Sequence, residues 1–247
     1  PTALGFPGES GGLVKDASEL QGTEKNTVMF GYGYSATALQ LVAAVNTVAN
    51  GGVYVAPRML KATIGADGEV IELPASAARE VLKPETASTM TSLMTDVVCL
   101  GTGKGARIDG ISVAGKTGTA YKLQDDSTYG ETGDRQYRAS FVGFLPAQNP
   151  QFTILVTIDQ PDPTSRDRFG GTAAAPLFTK VATAATGSVG QTMAPSRKPS
   201  SQVNPGIRAT LTAATAAIVA RVSPTTSPPR APASVFSSSA EVVRPAA

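Results

Sequence analysis

The stretch Lys116-Thr117-Gly118-Thr119 is the one place in this sequence whose side chains read as catalytic. An ammonium and two hydroxyls so close together can hold a carboxylate, and a glycine among them lets another backbone approach closely. The preceding Ile111-Ser112-Val113-Ala114 reads as a strand running into this motif. A side-chain period of two then places Thr117 and Thr119 on one face, with Lys116 and Gly118 on the other. If that strand lies at a sheet edge, its free N–H and C=O groups can pair with an extended peptide substrate. The plainer reading is an ordinary strand with a surface lysine, and the tripeptide alone does not separate the two.

Composition narrows the chemistry further. The 247 residues contain no histidine, no tryptophan and one cysteine, Cys99. Ser-His-Asp and Cys-His catalysis, His-ligated zinc, internal disulfides and cysteine-held metal clusters are thereby excluded within the chain. Acid–base work must fall to Lys, Tyr, Asp or Glu. Cys99 sits in an apolar helical pattern and is expected to be a buried small hydrophobe, with no imidazole to activate it. Asp125, Asp126, Glu131 and Asp134 lack the spacing of a calcium loop and read as solvated, so no metal and no other cofactor is expected. Arg166, Asp167 and Arg168 precede Gly170-Gly171 and are candidates for substrate contact. The net charge of +2 is too small to point to nucleic acid.

Several elements must position the motif. Between Ser35 and Asn50, Leu41, Val45 and Val48 recur at helical spacing, with Ser35 or Thr37 as cap and Gly51-Gly52 as stop. A hairpin-like stretch follows: Val53-Tyr54-Val55, then Ala62 to Ile64, a turn at Ala66-Asp67-Gly68, and Val70-Ile71. Pro84 opens a second helix with an expected apolar face of Met90, Leu93, Met94, Val97 and Val98, ended by Gly101. After the motif strand comes a polar loop over 122–138, then strands from Ala139 to Leu145 and from Phe152 to Ile158. A closing helix over about Ala173 to Ala185 presents Leu177, Phe178, Val181 and Ala182. The short Pro146–Pro150 connection argues for antiparallel pairing. The expected fold class is α+β, an antiparallel sheet flanked by helices.

Two units emerge along the chain. Residues 1–187 carry 15 Lys+Arg against 18 Asp+Glu, while residues 188–247 carry six basic side chains against Glu241 alone. The second stretch is rich in Ser, Thr, Pro and Ala and too poor in large apolar groups to offset the entropy of ordering, so it is expected to be a disordered tail. One patch within it, Ile207 to Val222, has a weak helical period. No run of apolar residues is long enough to span a membrane. The chain begins Pro1-Thr2-Ala3, without initiator Met or signal-peptide pattern, as expected of a piece of a longer protein.

The segment Ala114-Gly115-Lys116-Thr117-Gly118-Thr119-Ala120 resembles the third active-site motif of the penicillin-binding transpeptidases, the Lys-Thr-Gly shared with serine β-lactamases. Further segments follow in family order: Pro7-Gly8-Glu9-Ser10, Phe30-Gly31-Tyr32-Gly33-Tyr34 leading into Leu41, Ala49-Asn50-Gly51-Gly52-Val53, Gly101-Thr102-Gly103-Lys104-Gly105-Ala106, Ser140-Phe141-Val142-Gly143-Phe144 and Ala175-Pro176-Leu177-Phe178. Over about residues 5–185 the sequence is similar to class B penicillin-binding proteins, in an Ala-rich style similar to actinobacterial members. The resemblance implies the penicillin-binding transpeptidase and serine β-lactamase-like fold, here incomplete, and peptidoglycan D,D-transpeptidation as the activity. It implies that Lys116 and Thr119 are catalytic, the Thr119 N–H forming half of an oxyanion hole, and that Thr117, Gly118 and Thr119 bind substrate. Implied partners are peptidoglycan stem peptides, β-lactams and the cell-wall synthesis or division machinery. The implied location is the extracytoplasmic face of the bacterial membrane, through an N-terminal anchor outside this chain.

The family's nucleophile motif Ser-x-x-Lys and its Ser-x-Asn motif do not occur in these residues. The chain is therefore expected to be inactive alone, with sheet residues such as Ile154 to Ile158 left partly bare. A non-catalytic β-lactam-binding or scaffold protein of the same fold is the alternative. A β-lactamase fits less well, because those enzymes lack the Gly-Tyr-Gly lead into the helix.

Overall fold

The computed structural model describes residues 2, 4, 8–60, 62–122, 124, 125, 128–131, 135–162, 164–191 and 215–221. Its elements in order are α1 (Glu24–Thr27), a 3-10 turn (Val28–Phe30), α2 (Ala38–Ala49), β1 (Val53–Val55), β2 (Ala62–Ile64), β3 (Val70–Glu72), β4 (Ala78–Glu80) and α3 (Pro84–Cys99). A 3-10 turn (Lys104–Ala106), β5 (Ala114–Tyr121), β6 (Tyr137–Leu145), β7 (Phe152–Asp159), a π turn (Gly170–Ala174), α4 (Ala175–Gln191) and β8 (Thr215–Arg221) complete it.

The main sheet is antiparallel, in the order β5-β6-β7-β8, which leaves β5 with a free outer edge. Alternation along β6 and β7 sorts their side chains between two helical layers. Phe141, Ile154 and Val156 face α4, where Phe178 meets Phe141 edge-on at 4.8 Å between ring centroids. On the other face Leu155 meets Val42 of α2, and Phe144 packs with Met94, Val45 and Val48. The Thr153 hydroxyl donates to Asn46 Oδ1 at 2.9 Å and pins α2 to this face. Ile154, Leu155 and Val156 are thus fully enclosed, which corrects the expectation that Ile154–Ile158 would be partly bare. Helices already present in this chain cover both sides of β7, and only Thr157, Ile158 and Asp159 at its end remain half-buried.

The α2 start is set by a capping box, in which Thr37 and Gln40 each accept the other's backbone N–H, so Thr37 and not Ser35 is the cap. Along α3, Ala87, Met94 and Val98 are buried, whereas Met90 and Leu93 are exposed. The buried stripe is narrower than the sequence pattern because Met94 and Val98 alone reach the two packed layers. Cys99 is exposed, contrary to the buried position expected. It follows Val98 by one residue, and a helical step of about 100° swings it away from the core.

The β2–β3 hairpin forms as expected, but β1 pairs with β4, a strand the sequence does not signal. Ala78-Arg79-Glu80 has no β-branched or aromatic residue, and pairing with Val53–Val55 alone makes it a strand. The motif strand begins at Ala114, later than Ile111, which instead bridges to Ile108. The helical pattern assigned to Ile207–Val222 is corrected over Thr215–Arg221, which form β8 on the outer side of β7. The rest of 192–247 lies outside the described residues. Among the described residues, no helix is long and apolar enough to cross a membrane.

Candidate functional site

Strand β5 carries Lys116, Thr117, Gly118 and Thr119 along the sheet's open edge. Phe141 lies opposite Thr117 in register and is fully buried, so the motif's floor is part of the main core. Gly118 lies opposite Ser140, and a Cβ on Gly118 would run into the Ser140 hydroxyl. A side chain at 118 would therefore require the Ser140 hydroxyl to turn aside.

Each motif side chain has a defined partner. Lys116 is exposed, and its ammonium donates to the Thr117 carbonyl at 2.9 Å while lying 3.4 Å from Thr117 Oγ1. Strand alternation puts Lys116 and Thr117 on opposite faces, yet the long Lys116 side chain brings its ammonium back to Thr117 at the edge where, among the described residues, no strand pairs with β5. Thr117 Oγ1 lies 2.9 Å from Thr102 Oγ1, and Thr119 Oγ1 accepts the Gly170 N–H at 3.1 Å. The Thr119 hydroxyl proton is thereby left for an outside acceptor. Lys116 and Thr119 are exposed along β5, and Thr117 and Gly118 between them are half-buried.

The Gly170–Ala174 turn is seated directly on this row. A Cβ on Gly170 would collide with the carbonyls of Gly118 and Ser140, and one on Gly171 with the Thr102 carbonyl. Two consecutive glycines thus let the turn sit against backbone, which brings the Gly170 amide to Thr119. The sequence sets Thr102 in a family-like segment and Gly170 only in the pair after Arg168, and assigns neither a role. The signal available was the bare Gly101-Thr102-Gly103 and Gly170-Gly171 pairs, which say only that backbones approach there.

Beyond Thr119 the same face continues as an aromatic shelf. Tyr121 meets Tyr137 at 5.5 Å and Tyr137 meets Phe169 at 6.2 Å, all edge-on. Arg135 lies over the Tyr121 ring at 4.8 Å, and Arg168 over Phe169 at 4.6 Å and Tyr137 at 5.6 Å. Of the Arg166-Asp167-Arg168 run, Arg168 is the member stacked on this shelf, while Arg166 and Asp167 are exposed. At the far end Asp159 joins Lys122 at 2.8 Å and Arg138 at 3.1 Å. Partial burial alone would raise the Asp159 pKa, but the hydrogen bonds and charges of Lys122 and Arg138 outweigh it and hold the carboxyl below its ordinary value.

Asp125 and Glu131 are described, while Asp126 and Asp134 lie outside the described residues. Among the described residues no group of three His, Cys, Asp or Glu is placed to hold a metal ion.

The antiparallel sheet flanked by helices is consistent with the penicillin-binding and β-lactamase-like fold. Residues 1–183 match the penicillin binding protein transpeptidase domain, and the chain belongs to that family, in its class B branch. It is 38% identical over 188 residues to the penicillin-binding protein PbpB of Mycolicibacterium smegmatis, covering 73% of this chain and 28% of that protein. It is 34% identical over 178 residues to PenA of Neisseria meningitidis, a probable peptidoglycan D,D-transpeptidase, covering 72% of this chain and 28% of that protein. The structure of penicillin binding protein 3 from Mycobacterium tuberculosis complexed with ampicillin superposes with a TM-score of 0.68 at 33% identity, over 80% of this chain and 45% of that one. The chain therefore spans less than a third of the length of these curated relatives.

Proposed function

We propose that this chain forms the substrate-carboxylate wall of a peptidoglycan D,D-transpeptidase, whose serine nucleophile comes from residues outside these 247. The observation that carries this reading is the row on the free edge of β5, with Lys116, Thr117 and Thr119 presenting one ammonium and two hydroxyls. An extended stem peptide lying along that edge puts its terminal D-Ala carboxylate against these donors. Gly118 keeps the approach open. The serine Oγ then bonds to the penultimate D-Ala carbonyl carbon, its proton passing to a neighbouring lysine. The negative oxygen is held partly by the Thr119 backbone N–H, a class of interaction contributing on the order of 3 kcal/mol to lowering the barrier. The C–N bond breaks, D-Ala leaves with a proton, and an amine of a second stem peptide takes the acyl group. A β-lactam acylates the same serine, its opened ring staying attached.

Lys116 supports the proton relay to the leaving amine electrostatically. In this reading residues 1–187 are the C-terminal part of the transpeptidase domain, and 188–247 are an extension from which Thr215–Arg221 return to the sheet as β8. The enzyme works on the outer face of the cell membrane, beside other cell-wall synthesis or division proteins, anchored through a segment that is not in this chain.

The test uses labelled penicillin on the protein in which this chain is joined to a segment bearing Ser-x-x-Lys. Thr119→Val is expected to slow acylation by roughly 10- to 100-fold, the effect of losing a hydrogen bond to a charged group. Acylation at the parent rate would refute the assignment. This chain alone should gain no mass from penicillin, because it offers no serine with a lysine base at helical spacing. A covalent adduct on it would show a nucleophile among its own serines.

A further inference from the structure

Thr102 follows α3 in a turn held by two glycines. The Gly103 N–H donates to the Val97 carbonyl at 2.9 Å, and a Cβ on Gly103 would press on the Phe141 ring. From above, Gly171 rests on the Thr102 carbonyl so closely that a Cβ there could not fit. The backbone of Thr102 is thus clamped between the core and the π turn. Its side chain is exposed, with the hydroxyl 2.9 Å from that of Thr117.

Counting protons shows what this pair presents. Lys116 only donates, and it approaches Thr117 Oγ1 at 3.4 Å, so that oxygen is an acceptor on the ammonium side. The two hydroxyls own two protons between them, and their mutual hydrogen bond uses one. Whichever way that bond points, one proton faces outward. Thr119 adds a second, because its oxygen already accepts the Gly170 N–H. The row is therefore biased to offer donors and to receive an anion, and the bond to Thr102 holds the Thr117 hydroxyl in one orientation within it.

We propose that Thr102 is a positioning residue that locks the Thr117 hydroxyl for carboxylate recognition. This rests on the reading of Thr117 and Thr119 as the carboxylate site. Without Thr102, the Thr117 hydroxyl can rotate toward water or backbone, and the preference for an anion falls.

The test measures acylation of the nucleophile-bearing protein by a penicillin and by the methyl ester of the same penicillin. Thr102→Val is expected to reduce the acid-to-ester preference about 2- to 10-fold through weaker initial binding, with the maximal rate of acylation retained. Thr102→Ser, which keeps the hydroxyl, should restore the preference. Equal losses for acid and ester, or no loss for either, would overturn the proposal. Thr117→Val run in parallel separates the two levels of the argument. If it leaves the preference unchanged, the carboxylate site itself is wrongly placed. If it removes the preference while Thr102→Val does not, only the role of Thr102 fails.

Discussion

Gly170→Ala tests whether the π turn is truly seated on the catalytic strand. The new methyl would be driven into the carbonyls of Gly118 and Ser140 and toward the Gly118 nitrogen. These are backbone atoms of paired strands, so neither can turn aside as a flexible side chain would. Overpacking of this kind costs about 1–3 kcal/mol. Lifting the turn also breaks the 3.1 Å bond from the Gly170 N–H to Thr119 Oγ1, a loss of about 0.5–1.5 kcal/mol. The combined destabilisation of roughly 2–4 kcal/mol corresponds to a fall in Tm on the order of 4–16 °C for a domain of this size. Circular dichroism melts of the purified chain would read it. Gly187→Ala is the control: it lies in α4 with no atom near its missing Cβ, so it should be neutral or stabilising by up to about 1 kcal/mol. A Gly170→Ala protein that melts with the parent would refute the close seating of the turn and, with it, the orientation of Thr119.

Phe178→Ala should destabilise by about 3–5 kcal/mol, measured by urea unfolding, because Phe178 is fully buried against Phe141; a loss under 1 kcal/mol would contradict that packing. Asp159 has its pKa lowered in the folded chain, so its contribution is complete above the unfolded value of about 4 and is lost as pH falls through the folded value. Asp159→Asn should lower the Tm at pH 7 and flatten its decline in acid, and parallel curves for variant and parent would argue against the Lys122–Asp159–Arg138 cluster. Truncation after Gln191 removes β8 and unpairs the outer edge of β7, so hydrogen exchange should show faster amide exchange between Phe152 and Ile158. Unchanged protection there would mean that β8 does not pair in solution.

The motif strand and its neighbours were legible locally. Period two placed Thr117 and Thr119 on one face, the run from Phe152 to Ile158 announced a strand, and Pro84 marked the start of α3. These features depend on side chains close in sequence, where spacing and direction are tied by the geometry of a single element. What covers a face depends on residues far along the chain. The burial of Ile154–Val156 by α2 and α4, the exposure of Cys99, Met90 and Leu93, and the pairing of Ala78–Glu80 with Val53–Val55 were set by which surfaces met. The same holds at the site. Lys-Thr-Gly-Thr could be read as a row of donors, but Thr102 lies 15 residues before Thr117 and Gly170 lies 51 residues after Thr119. Only packing glycine against backbone brought those partners within hydrogen-bond reach, and a one-dimensional pattern carries no record of that contact.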